Sequence, residues 1–123
     1  MNSFGIQNEL VTDADGRIEY WKPDTKSREH FHLRVYFKAS PDVLDNVESV
    51  SYKLHDSFRY PDRSSSDREN AFSIDVWTWG MFMISVVVHW KDGSTKRTQH
   101  YLSYELPPNN GSNYIATRPR PTE

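Results

Sequence analysis

Phe31, Leu33, Val35 and Phe37 alternate with His30, His32, Arg34, Tyr36 and Lys38. A period of two puts the apolar set on one face of a β-strand and the polar set on the other. The same period sets Val50, Tyr52 and Leu54 against Ser49, Ser51 and Lys53, and Phe72, Ile74 and Val76 against Ser73 and Asp75. Met81 to Trp90 is the most apolar segment, close to continuous, as in a central strand covered on both sides. Lys96 to Tyr104 would return antiparallel to it through Asp92-Gly93, a pair that predicts a type I′ turn with both residues at positive φ.

Asp13-Ala14-Asp15-Gly16 separates Ile6 to Val11 from Arg17 to Trp21, which predicts an N-terminal hairpin over 4–21 or a strand that changes sheets. Asp42 to Asn46 has room for one helical turn, and no longer helical pattern is present. The expected fold is all-β, an immunoglobulin-like β-sandwich of about 7–8 antiparallel strands. Asp62 to Asn70 is polar throughout and reads as a mobile loop. Residues 107–123 hold four prolines and read as a tail or linker, leaving a single domain over 1–106.

Composition narrows the function classes. The net charge of −2 gives no global field for nucleic acid. With no cysteine, disulfides, thiolate catalysis and Cys-based zinc sites are excluded. Met81 to Val88 is too short to span a bilayer, and residues 1–20 carry four acids and no basic start, so no membrane insertion is expected and the cytoplasm is the default location. Aromatic residues make up 14% of a chain that is only 36% hydrophobic, so some rings must lie near the surface.

Two aromatic segments stand where strands end. Leu54-His55-Asp56-Ser57-Phe58-Arg59-Tyr60-Pro61-Asp62-Arg63 leaves one strand, and Trp77-Thr78-Trp79-Gly80-Met81-Phe82 crowds three rings around a glycine. Each has a plain structural reading. Ser and Asp after a strand commonly close a turn on backbone N–H groups, and a sandwich Trp is as often core as site. Alternation puts Trp77 and Trp79 on one side, so burying one and exposing the other requires a loop or bulge at Gly80. Trp21 and Trp90 read as packing residues. His30 and His32 share a strand face and could begin a metal site with His89 or His100, but solvated histidines are the commoner case, and neither metal nor cofactor is expected. Ser57 and His55 on one short loop rarely converge with an oriented carboxylate and carry no nucleophile-elbow motif, so no catalysis is expected.

The first segment resembles the His-Glu-Ser-Phe and Pro-x-Arg signature of YEATS domains, matching at His55, Ser57, Phe58, Pro61 and Arg63, with Asp56 for the Glu. The second is similar to their Trp-Gly-x-Phe loop at Trp79, Gly80 and Phe82, with Phe72 at the expected distance before it. The resemblance covers about 30–105. Thr78 replaces a usual Gly, Met81 replaces a frequent Glu, the polar loop before Phe72 is longer, and the N-terminal hairpin has no clear eukaryotic counterpart. These departures look more like the prokaryotic YEATS-like group, whose domains occur beside signalling and effector domains.

The resemblance implies a non-enzymatic reader in which a neutral acylated lysine of a protein or peptide enters between two rings. Phe58 and Trp79 would be the walls, Phe82 and His55 would line the end and side, and Gly80 would let backbone approach closely. The Ser57 hydroxyl and the Trp79 backbone N–H would bond the acyl amide. A cation-selecting cage would differ by enlisting Asp56 or Asp75. A protein-interaction or structural sandwich without a small ligand is the alternative, and a carbohydrate-binding sandwich a further one.

Overall fold

The computed structural model describes residues 3–120. Among them the elements run β1 (Phe4–Leu10), β2 (Ile18–Trp21), β3 (His30–Ala39), α1 (Pro41–Asp45), β4 (Val47–Lys53), β5 (Asp62–Ser65), β6 (Ile74–Thr78), β7 (Phe82–Trp90), β8 (Thr95–Leu102) and β9 (Tyr114–Ala116). Two sheets form a sandwich: β5, β4, β7 and β8 in that order, and a second sheet in which β3 joins β1, β2 and β6 while β9 adds to β2. Alternation explains the layers. Phe31, Leu33, Val35 and Phe37 of β3 are buried against Val50 and Tyr52 of β4, Ile84, Val86, Val88 and Trp90 of β7, and Leu102, in one core.

Several elements differ from the expectation, each for a local reason. β1 and β2 do not form a hairpin ladder: both run antiparallel to β3, and since Phe31 pairs with Tyr20 on one side and Thr78 on the other, they lie end to end along one edge. The intervening residues form a small excursion closed by one bridge, Thr12 to Ile18, with Asp13 Oδ1 accepting from the N–H groups of Asp15 and Arg17. The strand set is not wholly antiparallel, because β9 pairs parallel with β2. β9 lies within 107–123, so that segment is more than a tail: the Thr117 N–H donates to Tyr20 O at 2.7 Å, and Tyr114 packs its ring edge on Phe31.

The polar stretch from Asp62 also contributes a strand, β5, on the edge beside β4. An edge strand can carry polar side chains on both faces and still satisfy one row of backbone groups. A single 3₁₀ turn, Arg68–Asn70, follows it. β7 is central but covered on one side only: Met83 and Ser85 on its outer face are exposed. The β7 to β8 turn has Gly93 at φ +90° while Asp92 stays negative. Gly93 N–H donates to Trp90 O and Trp90 N–H to Ser94 O, which is a type I turn with a glycine bulge rather than type I′. α1 realises the expected helical turn, capped by the Ser40 hydroxyl accepting from Val43 N–H.

Ala71 and Phe72 both hold left-handed backbone, at φ +53° and +51°. A Cβ in that region costs roughly 1–2 kcal/mol, partly offset by the unfolded-chain entropy a glycine adds. Ala71→Gly is therefore expected to stabilise the domain by up to about 1 kcal/mol, read as a higher urea midpoint. A lower midpoint would contradict this account of the turn.

Candidate functional site

β4 and β7 are antiparallel neighbours, with Lys53 opposite Ser85. The end of β4 and the start of β7 therefore lie at the same pole of the sandwich, and the loops attached to them meet there. The first loop is pinned where it leaves β4: Leu54 is buried, and its N–H donates to Pro61 O at 2.8 Å. Inside it, Phe58 N–H donates to His55 O at 3.0 Å, and Ser57 N–H donates to His55 Nδ1 at 3.1 Å. An N–H donor makes Nδ1 an acceptor, so Nε2 carries the ring proton. The Ser57 hydroxyl, 2.8 Å from Nδ1, must then donate to it as well, which leaves its lone pairs to accept from elsewhere. Arg63 holds the base of the loop, donating to Tyr60 O at 2.7 Å and to Asp75 O at 3.0 Å.

The second loop is the connection of Trp79, Gly80 and Met81 between β6 and β7, which belong to different sheets. The buried Thr78 side chain ties it down, accepting from Gly80 N–H and donating to Gly80 O, both at 3.1 Å. Because β6 ends at Thr78, Trp79 is freed from the strand alternation: Trp77 is 8% exposed and Trp79 54%. Trp77 is buried on the outer face of its sheet, stacked on the imidazole of its cross-strand partner His32 at 4.4 Å. A Cβ at Gly80 would meet no atom within 4 Å, so the protein's own packing does not require a glycine there.

Between the loops lies a cleft of about 580 Å³ that all six anticipated residues line: His55, Ser57 and Phe58 from the first loop, Trp79, Gly80 and Phe82 from the second. Phe58 leans on Phe82 at 5.2 Å between ring centroids. The structure adds His30, Arg59, Trp77, Thr78 and Met81 to the wall. His30 arrives through its pairing with Trp21 at the start of β3, a register that no local pattern announces. No lining residue is acidic; Asp56 and Asp75, the carboxylates a cation cage would use, are not among them. Arg28 sets its guanidinium carbon 4.7 Å from the centre of the Trp79 ring.

The histidines of β3 do not converge on a metal. His30 Nδ1 lies 3.0 Å from Arg28 O. His32 spends both nitrogens on carboxylates, Nδ1 on Glu19 and Nε2 on Asp75, each at 2.8 Å. Burial disfavours the charged ring, but these hydrogen bonds outweigh it and hold the His32 pKa above its ordinary value, while the bond from His32 lowers that of Asp75. His89 pairs with Ser51, and His100 with Asn8. Trp90 is buried, as expected of a packing residue, and Trp21 is half-buried with Arg118 over its ring. Among the described residues no helix is long and apolar enough to cross a membrane.

A profile of the prokaryotic YEATS domain matches residues 31–103. The chain belongs to that family. Beyond the profile, this YEATS domain is 35% identical over 60 residues to transcription initiation factor TFIID subunit 14 of Schizosaccharomyces pombe, a match covering 48% of this chain and 24% of that protein. The chain thus spans about a quarter of that curated relative. Among solved structures it is similar to the yeast AF-9 homolog Yaf9, with TM-score 0.59 and 20% identity over 84% of this chain and 66% of that one. It is also similar to the Yaf9 YEATS domain recognising a succinylated histone H3 peptide (TM-score 0.57, 21% identity, 81% and 69% covered). A third similar structure is the Yaf9 YEATS domain bound to an acetylated H3 peptide (TM-score 0.58, 20% identity, 85% and 71% covered). At these identities the likeness establishes the fold of this YEATS domain, an immunoglobulin-like sandwich.

Proposed function

We propose that this YEATS domain is a non-enzymatic reader that takes an acylated lysine side chain of a protein or peptide into the cleft at its loop pole. The carrying observation is a wall with exposed and half-buried rings and no carboxylate. An unmodified or methylated lysine would bring a positive charge into a cleft lined by no carboxylate, beside a tryptophan whose ring already carries the Arg28 guanidinium. An acylated lysine brings a flat, neutral amide, which gains from ring contact and apolar burial. In this reading Phe58 and Trp79 flank the amide, the outward lone pairs of Ser57 accept its N–H, and the Trp79 backbone N–H donates to its carbonyl. His55 orients Ser57, and Phe82 closes the end behind Phe58. The binding function would localise or regulate a linked effector or signalling domain in the cytoplasm.

The binding titration of acetyl-lysine and crotonyl-lysine peptides, read by calorimetry, is the test. Saturable binding to the wild type is expected, weakened about tenfold or more in Trp79→Ala. Binding of neither peptide, or binding indifferent to Trp79→Ala, would remove the assignment. A protein-contact reading draws on Met81, Met83 and Tyr101, all about half exposed, with Met83 and Tyr101 paired across β7 and β8 next to the cleft. A carbohydrate platform draws less support, because of the four tryptophans only Trp79 is exposed.

A further inference from the structure

A second depression lies in line with the cleft along β4 and β7. On the outer face of the four-stranded sheet, a groove of about 390 Å³ has Ser51 and Lys53 of β4, Asp62 and Ser64 of β5, Ser85 of β7 and Arg97 of β8 in its lining. Phe82 lines the cleft and Ser85 the groove three residues along the same strand, while His55 lines the cleft and Lys53 the groove two residues back. Met83, exposed between Phe82 and Ser85, and its cross-strand partner Tyr101 continue the surface from one to the other. We infer that this groove receives the residues flanking the acyl-lysine and prefers a flank with acidic side chains; this rests on the acyl-lysine reading above and adds the sequence character of the partner.

Shape and charge both favour that occupant. Ser51 and Ser85 have short side chains, so an extended peptide can lie close to the sheet. Lys53 and Arg97 are exposed, and among the described residues neither is held in an ion pair. Arg63 turns its guanidinium to the Tyr60 and Asp75 carbonyls instead. Asp62 is the one acid in the lining, so bases exceed acids there although the chain carries 17 acids to 15 bases. The reach also fits. Lys53 stands opposite Ser85 and Arg97 opposite Val87. At about 3.3 Å per residue these positions lie roughly 10 and 17 Å along the strand from Phe82, a span that an extended peptide covers in about three to five residues. Carboxylates at those positions of the partner meet an ammonium and a guanidinium with no competing salt bridge.

The test uses three peptides with one central acetyl-lysine that differ only at the positions about three to five residues to either side, filled with glutamate, glutamine or lysine. Calorimetric titration in about 25 mM salt is expected to show the glutamate form binding about threefold or more tightly than the glutamine form and the lysine form weakest, with the differences fading near 0.5 M salt. Arg97→Gln and Lys53→Gln should each lower the glutamate-to-glutamine affinity ratio, and Asp62→Asn should raise it. Lys38→Gln, at the end of β3 away from His30 and the cleft, should leave it where it is. Equal affinities, or tightest binding of the lysine form, overturn the acidic preference and leave the reader assignment standing. A glutamate preference unmoved by both Arg97→Gln and Lys53→Gln overturns its placement in this groove. Failure of all three peptides to bind overturns the reader assignment and this inference together.

Discussion

Truncating Phe72 to alanine is expected to cost about 3–5 kcal/mol of unfolding free energy, the range for removing a fully buried ring. Phe72 is 1% exposed and meets Phe37 edge-on at 6.1 Å. Its backbone is held as firmly as its ring: the N–H donates to Asp67 O at 2.9 Å, and the carbonyl accepts the buried Tyr52 hydroxyl at 2.6 Å. Phe72→Gly provides the sharper comparison. Glycine in a strand or helix is ordinarily worse than alanine by roughly 0.5–1 kcal/mol, but residue 72 sits at φ +51°, where losing the Cβ relieves strain. The glycine variant is thus expected to be no less stable than the alanine variant in urea unfolding. A loss below about 1 kcal/mol in either, or a glycine variant clearly below alanine, would contradict the assigned packing and backbone.

Replacing His32 by alanine is expected to cost about 2 kcal/mol near pH 5.5, because two charge-assisted hydrogen bonds and a ring stack disappear together. The figure is kept low because the Asp75 side chain is 43% exposed and water screens its share. The pH dependence is more diagnostic than the size. His32 is raised in the folded state, so its contribution is complete below the ordinary 6.5 and fades as pH climbs through the raised value. Asp75 is lowered, so its contribution is complete above the ordinary 3.8 and fades as pH drops through the lowered value. The stability difference between wild type and His32→Ala should therefore peak between about pH 4 and 6.5 and shrink on both sides. A difference that stays flat from about pH 4 to 9 would mean that His32 acts through packing on Trp77 alone.

The sandwich core was legible because β3, β4, β6 and β7 each turn one apolar face to the core, and a single core-facing side is what writes a period of two into a sequence. β5 and β9 were not, for the opposite reason. Asp62, Arg63, Ser64 and Ser65 sit on an edge with no buried side to mark, and Tyr114–Ala116 is too short to show a period. The turn at Gly93 was correctly placed and wrongly typed, since Asp-Gly suits either geometry and only the chain path chooses.

At the cleft, the six anticipated residues lie on two short segments whose spacing carries the resemblance, so they could be named together. Arg59 stands beside Phe58 in the first segment but at no matched position, whereas His30 and Arg28 could not be named. Nothing local to them marks a site, and their placement depends on the register of β2 against β3 and on where the loops fall. The Glu19, His32 and Asp75 cluster is hidden for the same reason, with His32 13 residues from one carboxylate and 43 from the other.

The Trp79 to Met81 connection passes from one sheet to the other, whereas the His55 to Pro61 loop returns to the sheet it left. The aperture between them is consequently governed by how the two layers are seated, as the gap of a pair of calipers is governed by its pivot. An occupant gripped from both loops would act as a rivet through the layers, slowing amide exchange along β3 and β4 far from the point of contact. Cavities carved into the distant interior would in turn loosen the grip before they unfolded the domain.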